Sequence, residues 1–210
     1  MIRILIVDDH PIVRQGLKTI LAAEPDMKVA GEAESADAAL ALMKRRRWDA
    51  VVLDIGMPGR SGLELLKELK TAHPDVPVLL LSIYPEEQYA VRGLKLGAAG
   101  YVTKDSAPQE LVSAIRTALA GGRYVTPAVA DRLARALDRG VPEPPHQILS
   151  HREFQVLCLI ASGKTLTQIA GETGLSVKTI ATYRARILEK MAMENNAELT
   201  RYAIQTGLVM

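Results

Sequence analysis

Two periodicities of apolar residues alternate along residues 1–120. Short β-branched or aliphatic runs predict strands at 2–7, 27–31, 50–53, 76–81 and 100–102. Between them, helical spacing predicts helices at roughly 12–23, 35–46, 62–70, 86–96 and 108–120. Several of the strands are apolar throughout, which is typical of strands buried on both faces of a parallel sheet. The repetition predicts a doubly wound α/β domain with a five-stranded parallel sheet.

The remainder of the chain carries only helical signals. Thr126 and Pro127 provide an N-cap with proline in the first turn, and predict a helix to about residue 138. A cluster of prolines over 142–145 blocks both helix and sheet, and predicts an extended linker. From residue 149 the pattern predicts an all-α domain with helices at 150–162, 166–173, 177–191 and 196–206. The predicted divisions are an α/β domain over 1–122, a linker helix and proline-rich linker over 123–145, and a small four-helix domain over 146–210.

Composition excludes several classes of protein. The chain is 48% hydrophobic and 24% charged, which excludes global disorder. Its one cysteine, Cys158, excludes a disulfide scaffold and a cysteine-ligated zinc site. Apolar runs fall short of the ~18–20 residues of a membrane helix, and acidic residues come too early for a signal peptide. We therefore expect a cytoplasmic protein with no membrane partner.

The carboxyl ends of the predicted strands carry the candidate chemistry. Asp8 and Asp9 follow the first strand, Asp54 the third, Ser82 the fourth and Lys104 the fifth. Because functional residues of doubly wound sheets gather beyond these ends, we expect the five side chains to share one pocket. Clustered carboxylates repel one another unless a cation joins them, and magnesium, Mg²⁺, is a hard cation that suits oxygen ligands. With an ammonium and a hydroxyl beside them, the set fits an aspartyl-phosphate.

A structural alternative stays open at this point. Asp8 and Asp9 can instead cap the helix that starts near Pro11, with the other polar residues solvated in loops.

The segments around these positions resemble the receiver domain of two-component response regulators. The resemblance lies in VDDHPIVRQGL, VVLDIGMPGRSGLELL, LLLS and GYVTKD, and it covers about residues 1–120. It implies a flavodoxin-like fold and a sensor histidine kinase that phosphorylates Asp54. It also implies that Mg²⁺ is held by Asp8, Asp9, Asp54 and the backbone carbonyl of Gly56.

The same resemblance implies a switch. Ser82 matches the hydroxyl that follows the phosphoryl group, Tyr101 the switch aromatic, and Lys104 the lysine of the pocket.

The last domain has the proportions of a helix-turn-helix, with helix 166–173, a turn at 174–176 and helix 177–191. Residues 146–210 carry seven Lys or Arg against five Asp or Glu, an excess that permits a nucleic-acid partner without demonstrating one. Basic side chains suit phosphate contact, and small ones let a helix approach base edges. The candidate DNA contacts are Lys178, Thr179, Ala181, Thr182, Tyr183, Arg184, Ala185, Arg186 and Lys190. The alternative is a helical bundle with a solvated basic face.

The segment LSHREFQVLCLIASGKTLTQIAGETGLSVKTIATYRARILEKMAMENNAELTRYAIQTGL resembles the LuxR-type DNA-binding domain along its whole length. Together with the receiver-like segment, it makes the chain similar to response regulators of the NarL/FixJ family. Ala181 and the Thr165-Leu166-Thr167 segment depart from the usual pattern of the family, so the base sequence that the helix reads is not predicted.

Two function classes compete, together with a variant of the first. The favoured one is a phosphorylation-switched transcription regulator with double-stranded promoter DNA, a cognate sensor histidine kinase and RNA polymerase as candidate partners. The rival is a phosphatase or phosphotransferase with Asp54 as covalent nucleophile, but Gly56 stands where such a hydrolase needs a carboxylate. In the variant, the tail binds protein or RNA instead of DNA.

A homodimer is expected when the regulator is active. One recognition helix buries too little surface for high specificity, so we expect a dimer on paired half-sites. Leu199, Tyr202 and Ala203 form an apolar stripe on the last helix that predicts the dimer contact.

One further basic run, Lys44-Arg45-Arg46-Arg47, ends the second predicted helix. Cations at that end compensate the negative pole of the helix dipole, so we interpret the run as a solvated helix end rather than as a nucleic-acid contact.

Overall fold

The structure is a computed structural model that describes residues 1–84, 86–137 and 144–209. The chain divides into two compact units, Met1–Arg132 and Leu133–Met210. Most of the predicted proline-rich linker falls on residues 138–143, which lie outside the described residues. The described residues contain no helix that is both long and apolar enough to cross a membrane.

The first unit is built on a five-stranded parallel sheet in the order β2-β1-β3-β4-β5. Its strands are β1 Ile2–Val7, β2 Met27–Ala33, β3 Ala50–Asp54, β4 Val78–Ser82 and β5 Gly100–Thr103. The predicted doubly wound sheet is confirmed. The inner strands β3 and β4 are buried at every position, as their continuous apolar runs predict. They extend far enough to include Asp54 and Ser82, so both side chains are carried by strand ends.

Helices flank the sheet at α1 Pro11–Ala22, α2 Ala36–Arg45, α3 Gly62–Ala72, α4 Glu86–Lys95 and α5 Ala107–Leu119. Leu17 and Leu21 of α1 and Leu111 and Ile115 of α5 lie in one apolar core with the inner strands. At the start of α3, a Cβ on Gly62 would collide with the backbone oxygen of Asp54, so only glycine allows the helix to begin this close to the strand end. A sixth helix, α6 Pro127–Leu137, begins as predicted with Thr126 accepting a hydrogen bond from the Val129 N–H at 3.4 Å.

The second unit contains a short 3₁₀ helix, Pro145–Ile148, followed by α7 His151–Ala161, α8 Leu166–Thr173, α9 Val177–Met191 and α10 Asn196–Gln205. The four predicted helices are confirmed to within one residue. The 3₁₀ helix was not predicted; it begins at the last residue of the predicted linker and continues into the predicted helical domain. Each of the four begins at a residue whose side chain accepts a hydrogen bond from the first turn, namely Ser150, Thr165, Ser176 and Asn195. Phe154, Ile180, Ile187 and Leu199 are fully buried, and α7 packs against both α9 and α10.

The prediction that Leu199 and Ala203 contact a second copy of the chain is wrong, whereas dimerisation through α10 itself stays a prediction. Leu199 and Ala203 are fully buried within the second unit, where α10 packs against α7. The Tyr202 hydroxyl and His146 Nδ1 form a hydrogen bond of 2.7 Å. The apolar stripe is therefore part of the core of its own unit.

Candidate functional site

Three carboxylates meet at the carboxyl edge of the sheet in the first unit. One atom from each of Asp8, Asp9 and Asp54, together with a ring nitrogen of His10, lies within 4.8 Å of the others. The side chains of Asp8 and Asp54 are 0% and 3% exposed, whereas that of Asp9 is 24% exposed. The structure thus brings together the carboxylates that the sequence placed at the strand ends, with Asp9 on the side open to solvent.

The carboxylates do not cap α1. The residue at the N-cap of α1 is His10, whose side chain makes no capping hydrogen bond. Asp8 instead accepts a hydrogen bond from the His10 N–H at 2.8 Å, and His10 Nδ1 lies 3.0 Å from Asp9 Oδ1. The helix-capping alternative is therefore not what the structure shows.

Lys104 holds the two buried carboxylates together. Its Nζ lies 2.8 Å from Asp8 Oδ2 and 3.0 Å from Asp54 Oδ2. Burial opposes the charge on Lys104, but the Asp54 and Asp8 carboxylates outweigh it and raise the lysine pKa. Burial also raises the pKa of Asp54, and the ammonium of Lys104 counteracts that effect. The pocket is therefore a cationic side chain set between two carboxylates in a partly desolvated site.

The backbone of Gly56 is part of the pocket. Its N–H donates to Asp54 Oδ1 at 3.0 Å. A Cβ added to Gly56 would meet Asp54 Oδ1 at 3.6 Å, an ordinary contact. A Cβ is therefore tolerated beside the candidate nucleophile, and this sequence has no acid–base side chain at that position.

The two predicted switch residues, Ser82 and Tyr101, are joined through Tyr84. The Tyr84 N–H donates to Ser82 Oγ at 3.1 Å, and the Tyr101 hydroxyl donates to the Tyr84 carbonyl at 2.8 Å. Ser82 and Tyr101 are both buried. The sequence analysis missed Tyr84, because it contributes backbone atoms that residue identity does not reveal.

In the second unit, α8 and α9 form the predicted helix-turn-helix. α8 ends at Gly174 in the left-handed conformation, with φ of 67°, which favours glycine. Ser176 then caps α9, accepting from the Thr179 N–H at 3.1 Å. This confirms both the turn and the cap that the sequence predicted.

The candidate DNA contacts differ in their surroundings. Those exposed are Lys178, Ala181, Thr182, Ala185, Arg186 and Lys190; those half-buried are Thr179, Tyr183 and Arg184. Arg184 Nε donates to Asn196 Oδ1 at 2.6 Å, and Lys190 Nζ lies 2.7 Å from Glu153 Oε2. Lys178 and Arg186 form no ion pair with the residues that the structure describes. Lys178 and Arg186 are therefore the cations of this set that the fold leaves available for contact with DNA phosphates.

Comparison with known families agrees with both units. The response regulator receiver domain matches residues 4–116, and the luxR family of bacterial regulatory proteins matches residues 147–203. The chain belongs to the response regulators of the NarL/FixJ family, which are DNA-binding transcription regulators of two-component systems.

Individual relatives cover nearly the whole chain. It is 38% identical to the response regulator GacA of Pseudomonas viridiflava, over 100% of this chain and 98% of GacA. It is similar to RcsB of Salmonella enterica serovar Typhimurium bound to promoter rprA in the presence of the phosphomimetic BeF₃⁻, with 28% identity, a TM-score of 0.63 and coverage of 96% and 97%. A structure of two RcsB dimers bound to two parallel DNAs has 27% identity, a TM-score of 0.60 and coverage of 96% and 97%.

Family membership decides between the predicted function classes. A receiver domain joined to a LuxR-type DNA-binding domain identifies a transcription regulator, and favours DNA over RNA or protein as the ligand of the tail. It also argues against a dedicated phosphatase.

Proposed function

We propose that Asp54 is the phospho-acceptor of this response regulator, and that Asp8, Asp9, Asp54 and the carbonyl of Gly56 hold Mg²⁺ during the transfer. The observation that carries the proposal is Lys104 Nζ, placed 2.8 Å and 3.0 Å from the Asp8 and Asp54 carboxylates. The donor set fits the metal, because carboxylate oxygens are hard ligands and the cluster is open to solvent at Asp9.

In the proposed reaction, a carboxylate oxygen of Asp54 attacks the phosphorus of a phosphohistidine on the sensor kinase. The new P–O bond forms as the P–N bond breaks, and the histidine nitrogen leaves with the electron pair and takes up a proton. Lys104 is placed to hold a phosphoryl oxygen, while bound Mg²⁺ supplies further charge neutralisation. With no acid–base side chain at Gly56, hydrolysis of the product is slow, which suits a switch.

The proposed switch acts through Tyr84. A phosphoryl group on Asp54 offers the Ser82 hydroxyl a charged acceptor at the neighbouring strand end. Moving Ser82 toward it weakens the bond from the Tyr84 N–H, and Tyr84 also accepts from Tyr101. Phosphorylation thereby changes the preferred conformation of the loop after β4, and the position of Tyr101 changes with it.

The proposed output is promoter binding by a homodimer. We place α9 in the major groove, with Thr182 and Ala185 at base edges and Lys178 and Arg186 on phosphates. The RcsB structures with a promoter and with dimers on DNA support this arrangement for a relative of 27–28% identity. Paired half-sites supply the specificity that one helix lacks. Promoter binding implies a cytoplasmic location and RNA polymerase as a further partner.

Phosphotransfer is tested with the full chain, acetyl phosphate and Mg²⁺, using intact mass as the readout. The wild type is expected to gain one phosphoryl group and Asp54→Asn none. Asp37→Asn is a matched control, because Asp37 is an exposed carboxylate on α2. Full labelling of Asp54→Asn, or labelling that a chelator leaves unchanged, contradicts the proposal.

DNA contact is tested by fluorescence anisotropy with promoter fragments over a range of salt concentrations. Lys178→Ala is expected to weaken binding to all sequences, and to reduce the slope of log K against log salt by about 0.9 if one phosphate contact is lost. Substitutions of Thr182 should change which sequences are preferred. Arg201→Ala, which removes an exposed cation from α10, is the control. An unchanged salt slope in Lys178→Ala contradicts the assignment.

A further inference from the structure

A cluster of exposed cations lies at the amino end of the sheet in the first unit, at the opposite edge from the carboxylate pocket. α2 ends at Arg45, and the chain continues through Arg46 and Arg47 before β3 begins at Ala50. All four residues of the run Lys44-Arg45-Arg46-Arg47 are exposed.

The sheet brings two more cations to the same edge. Arg3 of β1 and Lys28 of β2 are register partners on adjacent parallel strands, so their side chains lie side by side. Arg46 Nη1 reaches the carbonyl of Ala30, two positions along β2 from Lys28 and thus roughly 7 Å away along the strand. We name this surface the basic edge; its residues are Arg3, Lys28, Lys44, Arg45, Arg46 and Arg47.

The basic edge differs in its ion pairing from other cations of the first unit. Elsewhere in the first unit, Arg14 and Lys18 pair with Glu32, and Arg116 pairs with Glu24 and Asp26. By contrast, none of the six residues of the basic edge forms an ion pair with a described residue. The nearby Asp49 carboxylate is used by the backbone N–H of Arg3.

Helix-end stabilisation accounts for only part of this cluster. Lys44 and Arg45 lie in the last turn of α2, where cations favour the helix dipole. Arg47 lies beyond that turn, and the Arg3–Lys28 pair sets like charges opposite each other, which destabilises a sheet. Arg3 is half-buried, and its guanidinium carbon lies 6.0 Å from the centre of the Trp48 ring, which gives it a contact within the fold. Lys28 and Arg47 are explained neither by the helix end nor by such a contact.

We propose that the basic edge binds the phosphate backbone of the DNA that the LuxR-type domain has engaged, as a contact independent of base sequence. The proposal rests on DNA binding by α9. An unneutralised cationic surface attracts a polyanion, and guanidinium groups match phosphate geometry. Because both units belong to one chain, a duplex held by the second is at high effective concentration for the first. The contact would add affinity and salt dependence, and would leave base preference unchanged.

The experiment measures the salt slope of the full chain on two duplexes that share one binding site, a minimal one and one with long flanks. The test variant is Arg45→Gln/Arg47→Gln, which spares Arg46 because its guanidinium donates to the Ala30 carbonyl. The control, Lys67→Gln/Lys95→Gln, removes two exposed cations from α3 and α4 of the same unit.

For the wild type and the control, the flanked duplex is expected to give a steeper slope by about one to two units, which corresponds to one or two extra phosphate contacts. The test variant should give the same slope on both duplexes, with unchanged binding to the minimal one. Equal slopes on the two duplexes for the wild type, or the same extra slope in the test variant, overturn the proposal while leaving DNA binding by α9 intact. Failure of the wild type to bind either duplex overturns both.

Discussion

Replacing Lys190 with methionine tests whether this residue contacts DNA or stabilises the folded protein. Sequence analysis predicts a phosphate contact, but the structure places Lys190 Nζ 2.7 Å and 3.0 Å from the carboxylate oxygens of Glu153. The Glu153 side chain is 3% exposed and also accepts from the Ser150 N–H at 2.7 Å. The pair ties the last turn of α9 to the first turn of α7. We therefore predict that Lys190→Met acts mainly on stability.

The magnitude follows from the burial of Glu153. A hydrogen bond to a charged group contributes about 1.5–3 kcal/mol. Because Lys190 is 40% exposed, solvent screening reduces this, and we expect Lys190→Met to lower the free energy of unfolding by about 1–2 kcal/mol. Lys164→Met is the matched control: its partner Glu172 is 45% exposed, and loss of that pair should cost less than about 0.5 kcal/mol.

The loss of stability in Lys190→Met depends on pH. Burial alone raises the pKa of Glu153, but the hydrogen bonds from Lys190 and Ser150, together with the charge of Lys190, outweigh it and hold the pKa below its usual range. A carboxyl with a lowered folded pKa stabilises the protein above its unfolded pKa of about 4.3, and this contribution is lost as the pH falls through the folded value. When Lys190 is replaced, Glu153 stays buried and the pKa of Glu153 rises. The stability difference between wild type and variant is therefore largest near neutral pH and shrinks below about pH 4.

Urea unfolding followed by circular dichroism measures the free energy of unfolding of the wild type and of Lys190→Met. The method suits the second unit, because all of its described secondary structure is helical. In a double-mutant cycle, Lys190→Met should cost about 1 kcal/mol less in a Glu153→Gln background. Fluorescence anisotropy with promoter DNA measures whether Lys190 contacts a phosphate. Unchanged stability together with a salt slope reduced by about one unit would refute the reasoning, because it would show that Lys190 neutralises a phosphate.

Four further predictions concern phosphotransfer, the switch and the backbone. Lys104→Met should reduce acetyl-phosphate labelling strongly, measured by intact mass, because the ammonium between Asp8 and Asp54 is lost. Ser82→Ala should still be labelled but should respond weakly to labelling in DNA affinity; a wild-type response would contradict the route through Tyr84. Ala192 is left-handed, with φ of 53°, so Ala192→Gly should raise the free energy of unfolding by about 0.5–1 kcal/mol in urea titrations. Gly174→Ala should lower it by a similar amount.

The pocket was predictable because the sheet is parallel. Parallel strands place their carboxyl ends at one edge of the sheet, so the sequence alone predicts that Asp8, Asp54 and Lys104 lie close together. The link between Ser82 and Tyr101 was not predictable. It passes through the N–H and carbonyl of Tyr84, groups that every non-proline residue has, and depends on the path of the loop after β4.

The surroundings of the DNA-binding helix were predictable only in part. Helical spacing separates the buried stripe of α9 from its exposed face, and the structure agrees that Ile180, Ile187 and Met191 are buried. Spacing cannot show which exposed cation meets another helix. Arg184 reaches Asn196 and Lys190 reaches Glu153 across long stretches of sequence, so these pairings depend on tertiary packing.

The apolar stripe on α10 also shows that helical spacing does not identify the partner of a helix face. An apolar stripe indicates that one face of a helix is covered, but it does not identify what covers it. In a unit this small, a core needs the apolar face of every helix, because a short chain buries a smaller fraction of its surface. Leu199 and Ala203 accordingly face α7 rather than a second copy of the chain. A dimer contact in such a domain must be sought among residues that remain exposed after the core has formed, and helical periodicity alone cannot locate them.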